Sequence, residues 1–216
     1  MSDLLSQLYP DQSGPPDELE LLTAISSKFS DSIAAKQATL DACGPALLQM
    51  ARLIARTYEN GGRLLTMGNG GSACDAAHVA VEFNHPVTVG RPALPAIHLG
   101  ADLPMVTAVG NDVGFDQIFA RQVISHGRRG DALIGISTSG NSTNLLAAFA
   151  VARRQGLTTL GLAGHDGGKM ARSELDCCVV VPANSVHRIQ EAHLTCYHIL
   201  WDLTHTLLAD SRGNTP

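Results

Sequence analysis

Apolar positions along this chain recur at two different spacings, and the switch between them divides it. Leu22, Ile25, Phe29 and Ile33 stand three or four residues apart, which places them on one face of a helix. Gly44-Pro45 interrupts the pattern, and Leu47, Ala51, Ile54 and Tyr58 resume it up to Asn60-Gly61-Gly62. Proline lacks a backbone donor and crowds the preceding turn. The pattern therefore predicts two amphipathic helices within residues 17–60. Beyond them, short apolar runs alternate with helical ones. Strands are expected at 63–66, 94–99, 131–136, 157–162 and 177–181. Helices are expected at 73–83, 115–125, 141–155 and 187–208, with shorter turns of helix at 102–109 and 169–173. Gly156 is placed to cap the helix before it. Strands alternating with helices imply an α/β fold, a parallel sheet of about five strands covered on both faces. Two helices ahead of the first strand are more than one sheet requires, and they are expected to pack against another subunit. Residues 1–16, ending Gln12-Ser13-Gly14-Pro15-Pro16, read as a loose arm, and 17–216 as a single domain.

Composition narrows the class. At 216 residues the chain buries enough apolar surface to fold without disulfides or a structural metal. Its five cysteines are odd in number and scattered, and the adjacent Cys177 and Cys178 do not have metal-ligand spacing, so free thiols in a reducing cytoplasm are expected. A net charge of −5 argues against nonspecific nucleic-acid binding. No apolar run approaches the roughly 20 residues of a membrane span. The N-terminus lacks the basic segment and apolar core of a secretory signal.

In open α/β sheets, ligands sit beyond the carboxyl ends of the strands, so the loops that follow strands carry most of the chemistry. The first is Met67-Gly68-Asn69-Gly70-Gly71-Ser72. Strand, glycine-rich turn and helix together expose backbone N–H groups at a helix N-terminus, where an anion is favoured. Ser72 is placed to cap that helix and to offer a hydroxyl. The second is Ser137-Thr138-Ser139-Gly140-Asn141-Ser142, with four hydroxyls in six residues opening a helix. One cap explains one hydroxyl, whereas a phosphate has several acceptor oxygens to satisfy. Neither loop contains lysine, which excludes a nucleotide P-loop. A small phosphorylated molecule fits both.

Helical positions supply further candidates. Asp75, His78 and Glu82 follow the first loop, with His78 and Glu82 on one face; an isolated pair of this kind is more often a surface ion pair. Gln190, Glu191, His193 and His198 lie on the last helix. Gln190 and His198 are about 12 Å apart along it and about 80° apart around it. Asn111-Asp112 follows a turn and can equally be a cap. Arg188 can pair with a phosphate or carboxylate, or simply carry surface charge.

Taken in order, Gly68–Ser72, Asp75-Ala76-Ala77-His78, Glu82, Asn111-Asp112, Phe119–Val123, Gly135–Ser142, Arg188–His193 and His198 resemble the sugar isomerase (SIS) family, and within it the phosphoheptose isomerases. The resemblance runs from the first helix to Leu208. It implies a three-layer sandwich, an aldose–ketose isomerase acting on sedoheptulose 7-phosphate, and a cytoplasmic homotetramer with sites at subunit interfaces. It implies that Ser137, Thr138, Ser139 and Ser142 hold the phosphate. Asn69, Gly70, Gly71, Asn111 and Asp112 would line the sugar, with Ser72 and Gln190 beside them. His78, Glu82, Gln190 and His198 would hold zinc, with Glu82 as base and His198 as acid. A carboxylate base and an imidazole acid suit the two ends of an enediol, and a metal ion would polarise the carbonyl. A glutamate bound tightly to metal is a poorer base, so either the ion exchanges or Glu82 works from a loosened position. The spacing of Gln190 and His198 makes one ion shared by both within one chain a stretch, and residues from more than one chain are expected to complete the site. Where well-studied bacterial members carry an acidic residue, this chain has His187, which bears on the sugar more than on the reaction. The competing readings are an isomerase of a different sugar phosphate, a non-catalytic relative that binds the replication initiator, and a sugar-phosphate-sensing regulator. Nothing in the sequence resembles the basic helix-turn-helix that such a regulator carries.

Overall fold

The structure, a computed structural model, describes residues 17–213; the arm expected at 1–16 lies outside them. Asp17 starts helix α1 (Glu18–Glu59) with a reciprocal cap. Its carboxylate accepts from Glu20 N at 2.8 Å, and Glu20 accepts from Asp17 N at 3.1 Å. Contrary to the pattern-based expectation of two helices, α1 is one element of 42 residues with Pro45 inside it. Tertiary contacts override the local break. Thr39, Cys43, Leu47, Met50 and Ala51 keep one buried face across Pro45. Two thiols fasten the helix to strand β5 (Cys177–Val181) on either side of the proline: Cys43 Sγ donates to Val180 O at 3.0 Å, and Cys177 Sγ to Ala46 O at 3.4 Å.

The remaining strands are β1 (Leu64–Gly68), β2 (Ala96–His98), β3 (Ala132–Ser137) and β4 (Thr158–Gly164). All pair in parallel, in the order β2-β1-β3-β4-β5. The helices between them are α2 (Gly71–Asn84), α3 (Leu103–Asp112), α4 (Ile118–His126), α5 (Thr143–Gln155) and α6 (Gly168–Arg172), and α7 (Val186–Gly213) follows β5. Strand residues alternate between faces, so the sheet has a core on each side. Leu64, Ile134, Ile136, Leu160 and Val179 pack under α1, α2 and α7. Leu65, Met67, Leu133 and Ala163 pack with Val109, Phe119, Val123 and Phe149 on the other side. The expected three-layer sandwich is present. Gly156 ends α5 in the left-handed conformation, φ 79°, as expected. The five cysteines are free, and Cys43, Cys177 and Cys196 are buried.

Winding reverses between β1 and β3, where chain connections leave in opposite directions. That reversal opens the crevice at which ligands bind in doubly wound sheets. The glycine loop after β1 and the hydroxyl loop after β3 flank it, and Gly68 stands in register with Ile136.

Candidate active site

The two loops are tied together across the crevice. Asn69 and Asn144 exchange side-chain amide hydrogen bonds, both at 2.9 Å. Asn144, fully buried in the first turn of α5, was not among the residues picked out from sequence. Its only sequence signal is an amide placed just after a hydroxyl-rich loop. Neither helix facing the crevice has a side-chain cap. The N-cap of α2 is Gly70, φ 56°, and not Ser72, which is buried inside the first turn. Only an uncrowded glycine adopts that backbone readily. The N-cap of α5 is Ser142, whose hydroxyl lies 3.2 Å from Ser137 Oγ instead of capping. Gly140 N donates to Ser137 Oγ at 3.2 Å, and Asn141 N to Ser139 Oγ at 3.3 Å, which folds the loop on itself. The hydroxyls of Ser137, Ser139 and Ser142 therefore share one turn at a positive dipole end, with Thr138 half-buried beside them.

A second cluster forms between α2 and α7. Ligand atoms of His78, Glu82 and His198 lie within 4.8 Å of one another. His78 Nε2 is 3.1 Å from Glu82 Oε1, and its Nδ1 is 2.8 Å from the Tyr197 hydroxyl. The His78 and His198 rings meet edge to face at 5.1 Å. Tyr197 is buried. Burial raises its phenol pKa, and the nearby Asp75 and Glu82 carboxylates raise it further. Tyr197 therefore stays a neutral hydrogen-bonding group that fixes the His78 ring. Sequence reading missed it because an apolar-face tyrosine looks like core. Asp75, one turn before His78, has its Oδ2 buried without a partner. Burial pushes its pKa up to about 6, against the lowering pull of His78.

Other candidates fall elsewhere. Gln190 packs on the glycine loop, where a Cβ at Gly71 would overlap its amide. Three of the four expected metal ligands thus lie close together within one chain, and the amide of the fourth, Gln190, lies against Gly71 at the start of the helix that carries His78 and Glu82. Asn111 and Asp112 form the exposed last turn of α3 instead of a turn between elements, and Asn111 Nδ2 donates to Asp112 Oδ1 at 2.7 Å. Arg188 is committed within the chain, donating to Glu191 Oε1 at 2.6 Å and to Lys28 O. His187 is exposed and lines a cleft of about 470 Å³ with Lys28, Asp31 and Arg188. His193 is fully buried, with Nε2 3.0 Å from Ala163 O, and burial lowers its pKa to about 4.

Comparison with known proteins decides the family. The SIS domain profile matches residues 28–164. The phosphoheptose isomerase of Trichlorobacter lovleyi is 44% identical over 179 residues, which is 83% of this chain and 91% of that protein. The phosphoheptose isomerase of Chlorobaculum parvum is 43% identical over 200 residues, 91% of this chain and 92% of that one. This chain belongs to the SIS-domain phosphoheptose isomerase family. The fold of this SIS domain agrees with the solved phosphoheptose isomerase of Francisella tularensis. The TM-score is 0.82 at 38% identity, covering 86% of this chain and 98% of that one. The Neisseria gonorrhoeae phosphoheptose isomerase structure gives 0.81 at 38% identity, covering 86% and 99%.

Proposed function

We propose that this SIS domain interconverts sedoheptulose 7-phosphate and D-glycero-D-manno-heptose 7-phosphate through an enediol(ate). The observation that carries the reading is the convergence of Glu82 and His198, from helices far apart in sequence, beside His78. The phosphate is held by Ser137, Thr138, Ser139 and Ser142 on the uncapped N-terminus of α5, which satisfies acceptor oxygens without a cationic side chain. Asn69, Gly70, Gly71, Ser72, Asn111, Asp112 and Gln190 line the sugar chain. Glu82 takes the C1 proton as base, and His198 as acid supplies one to C2. The O1 hydroxyl loses its proton as the aldehyde forms, and O2 gains one, so the hydrogens of the sugar balance.

Donor chemistry at the cluster fits zinc: two imidazoles and a carboxylate, with the Gln190 amide as a fourth ligand. The Tyr197 hydroxyl occupies His78 Nδ1 and leaves Nε2 facing Glu82, the arrangement that orients a metal-ligating histidine. Zinc, when bound, supplies polarisation of the carbonyl and neutralises the enediolate. Support for a homotetramer comes from α1, whose Leu22, Ile25, Phe29 and Ile33 are each more than half exposed in the single chain. No described helix is long and apolar enough to cross a membrane.

The test is conversion of sedoheptulose 7-phosphate by the purified protein, with and without chelator, and after zinc is restored. Turnover that is lost to chelator and recovered with zinc is expected. Glu82→Gln is expected to lower kcat by about 10²–10⁴-fold while sparing binding. Tight binding with no conversion under any metal condition would instead indicate a sensor or scaffold.

A further inference from the structure

Helix α2 ends in a way that leaves one carbonyl in need of a donor. Val81 O accepts from His85 N at 2.8 Å. Glu82 O would next accept from residue 86, but that residue is Pro86, which has no N–H. The chain's single tryptophan fills the gap: Trp201 Nε1 donates to Glu82 O at 2.8 Å. Phe83 O is satisfied in turn by Leu94 N at 2.8 Å, across the loop that joins α2 to β2. The main chain of Glu82 is thus fastened to α7 at a residue one turn beyond His198.

Trp201 is itself held from the same loop. The Arg91 guanidinium lies 5.0 Å from the centroid of the Trp201 rings. It also donates to Asp202 O at 3.0 Å and to Asp202 Oδ1 at 2.6 Å. A planar guanidinium can stack on the indole and fork to two oxygens at once, whereas a lysine ammonium cannot. His205 packs against the other members of this cluster, 5.0 Å from the Trp201 rings and stacked on Phe83 at 6.3 Å. The segment 85–95 is therefore a strap from the end of α2 over α7, with Arg91 as its buckle.

We propose that Trp201 and Arg91 are positioning residues for Glu82: they fix the end of α2 against α7 so that the Glu82 carboxylate meets His78 and His198. The indole N–H replaces the backbone donor that Pro86 removes, and Arg91 locks the indole in that orientation. Neither touches substrate. The inference rests on the reading of Glu82, His78 and His198 as the reacting and metal-holding set.

Zinc affinity of the full-length protein is the direct readout, measured by competition with a chromophoric chelator, alongside kinetics with sedoheptulose 7-phosphate. Trp201→Phe keeps the ring and removes only the N–H donor. It is expected to weaken zinc binding about tenfold, the loss typical when a group supporting a metal ligand is removed, and to lower kcat with KM little changed. Arg91→Ala is expected to weaken zinc binding similarly and, with Trp201 the only tryptophan, to shift its emission. Arg91→Lys should rescue neither fully. Unchanged zinc affinity and kcat in folded Trp201→Phe and Arg91→Ala proteins would overturn the proposal. The underlying reading fails differently: the unmodified protein would then bind no zinc, and Glu82→Gln would leave its turnover intact.

Discussion

Three residues show how a side chain, or its absence, acts at this site. Gly71 is needed for space: an added Cβ overlaps the Gln190 amide, the free end of a flexible side chain. Gly71→Ala is expected to fold with a thermal midpoint close to that of the natural chain and to turn over sedoheptulose 7-phosphate about tenfold more slowly, since the amide must move. Gly68 differs, because a Cβ there runs into the Ser72 carbonyl and the Ala73 nitrogen, both main chain. Gly68→Ala is expected to lose about 1–3 kcal/mol of stability by denaturant titration. His193 carries the clearest pH signature. Its pKa is about 4 when folded, below the 6.5 of a free imidazole, because burial disfavours its charged form. Between those values the unfolded chain binds more protons, so the neutral ring stabilises the fold above pH 6.5 and that stability is lost as pH falls towards 4. The difference is on the order of 3 kcal/mol. His193→Asn should flatten the fall in stability between pH 6.5 and 4, whatever it does to absolute stability. An unchanged slope would show that other groups set the acid limb. Asp75 works in the opposite sense over part of that range, as its raised pKa favours the protonated folded state at low pH.

At the scale of elements, α1 is where local signal and tertiary packing disagree. Gly44-Pro45 is a sound reason to end a helix, and the chain passes through it because the buried face and two thiol-to-carbonyl contacts continue on both sides. Pro45 is exposed, so replacing it with alanine meets open space while restoring an amide donor toward the turn before it. Pro45→Ala is expected to raise stability by about 1–3 kcal/mol, as measured by thermal unfolding. A loss would mean that the packing of α1 depends on a proline-induced bend. The strands were legible in the sequence because each is a short apolar run, and the other helices because their apolar positions recur at helical spacing between glycine-, proline- or asparagine-containing turns. Their ends were less so. The strand expected at 94–99 is paired only at Ala96–His98, and Asn111-Asp112 turned out to close a helix.

At the scale of the molecule, the first half of α1 has little to pack on within one chain. Buried positions begin at Ala35, while Phe29 is 70% exposed and Ile33 67%. Ile33 and Leu40 also line an apolar groove against Ile199, the neighbour of His198. A face of this kind is expected to be covered by further copies of the chain. Light scattering should show a tetramer. Phe29→Asp with Ile33→Asp should yield smaller species that turn over sedoheptulose 7-phosphate poorly, because the surroundings of His198 change. A fully active monomer would refute the dependence on assembly.

The sequence by itself determined the alternation of strands and helices, the glycine and hydroxyl loops, and the order of residue types that marks the family. These are local properties, written in spacing, turn chemistry and the residue types a phosphate requires. Only the tertiary structure decided that α1 runs unbroken through its proline, that Gly70 and not Ser72 starts α2, and that Gln190 lies on the glycine loop while His198 joins His78 and Glu82. Those outcomes depend on which faces meet across the sheet, and no window of neighbouring residues contains that information.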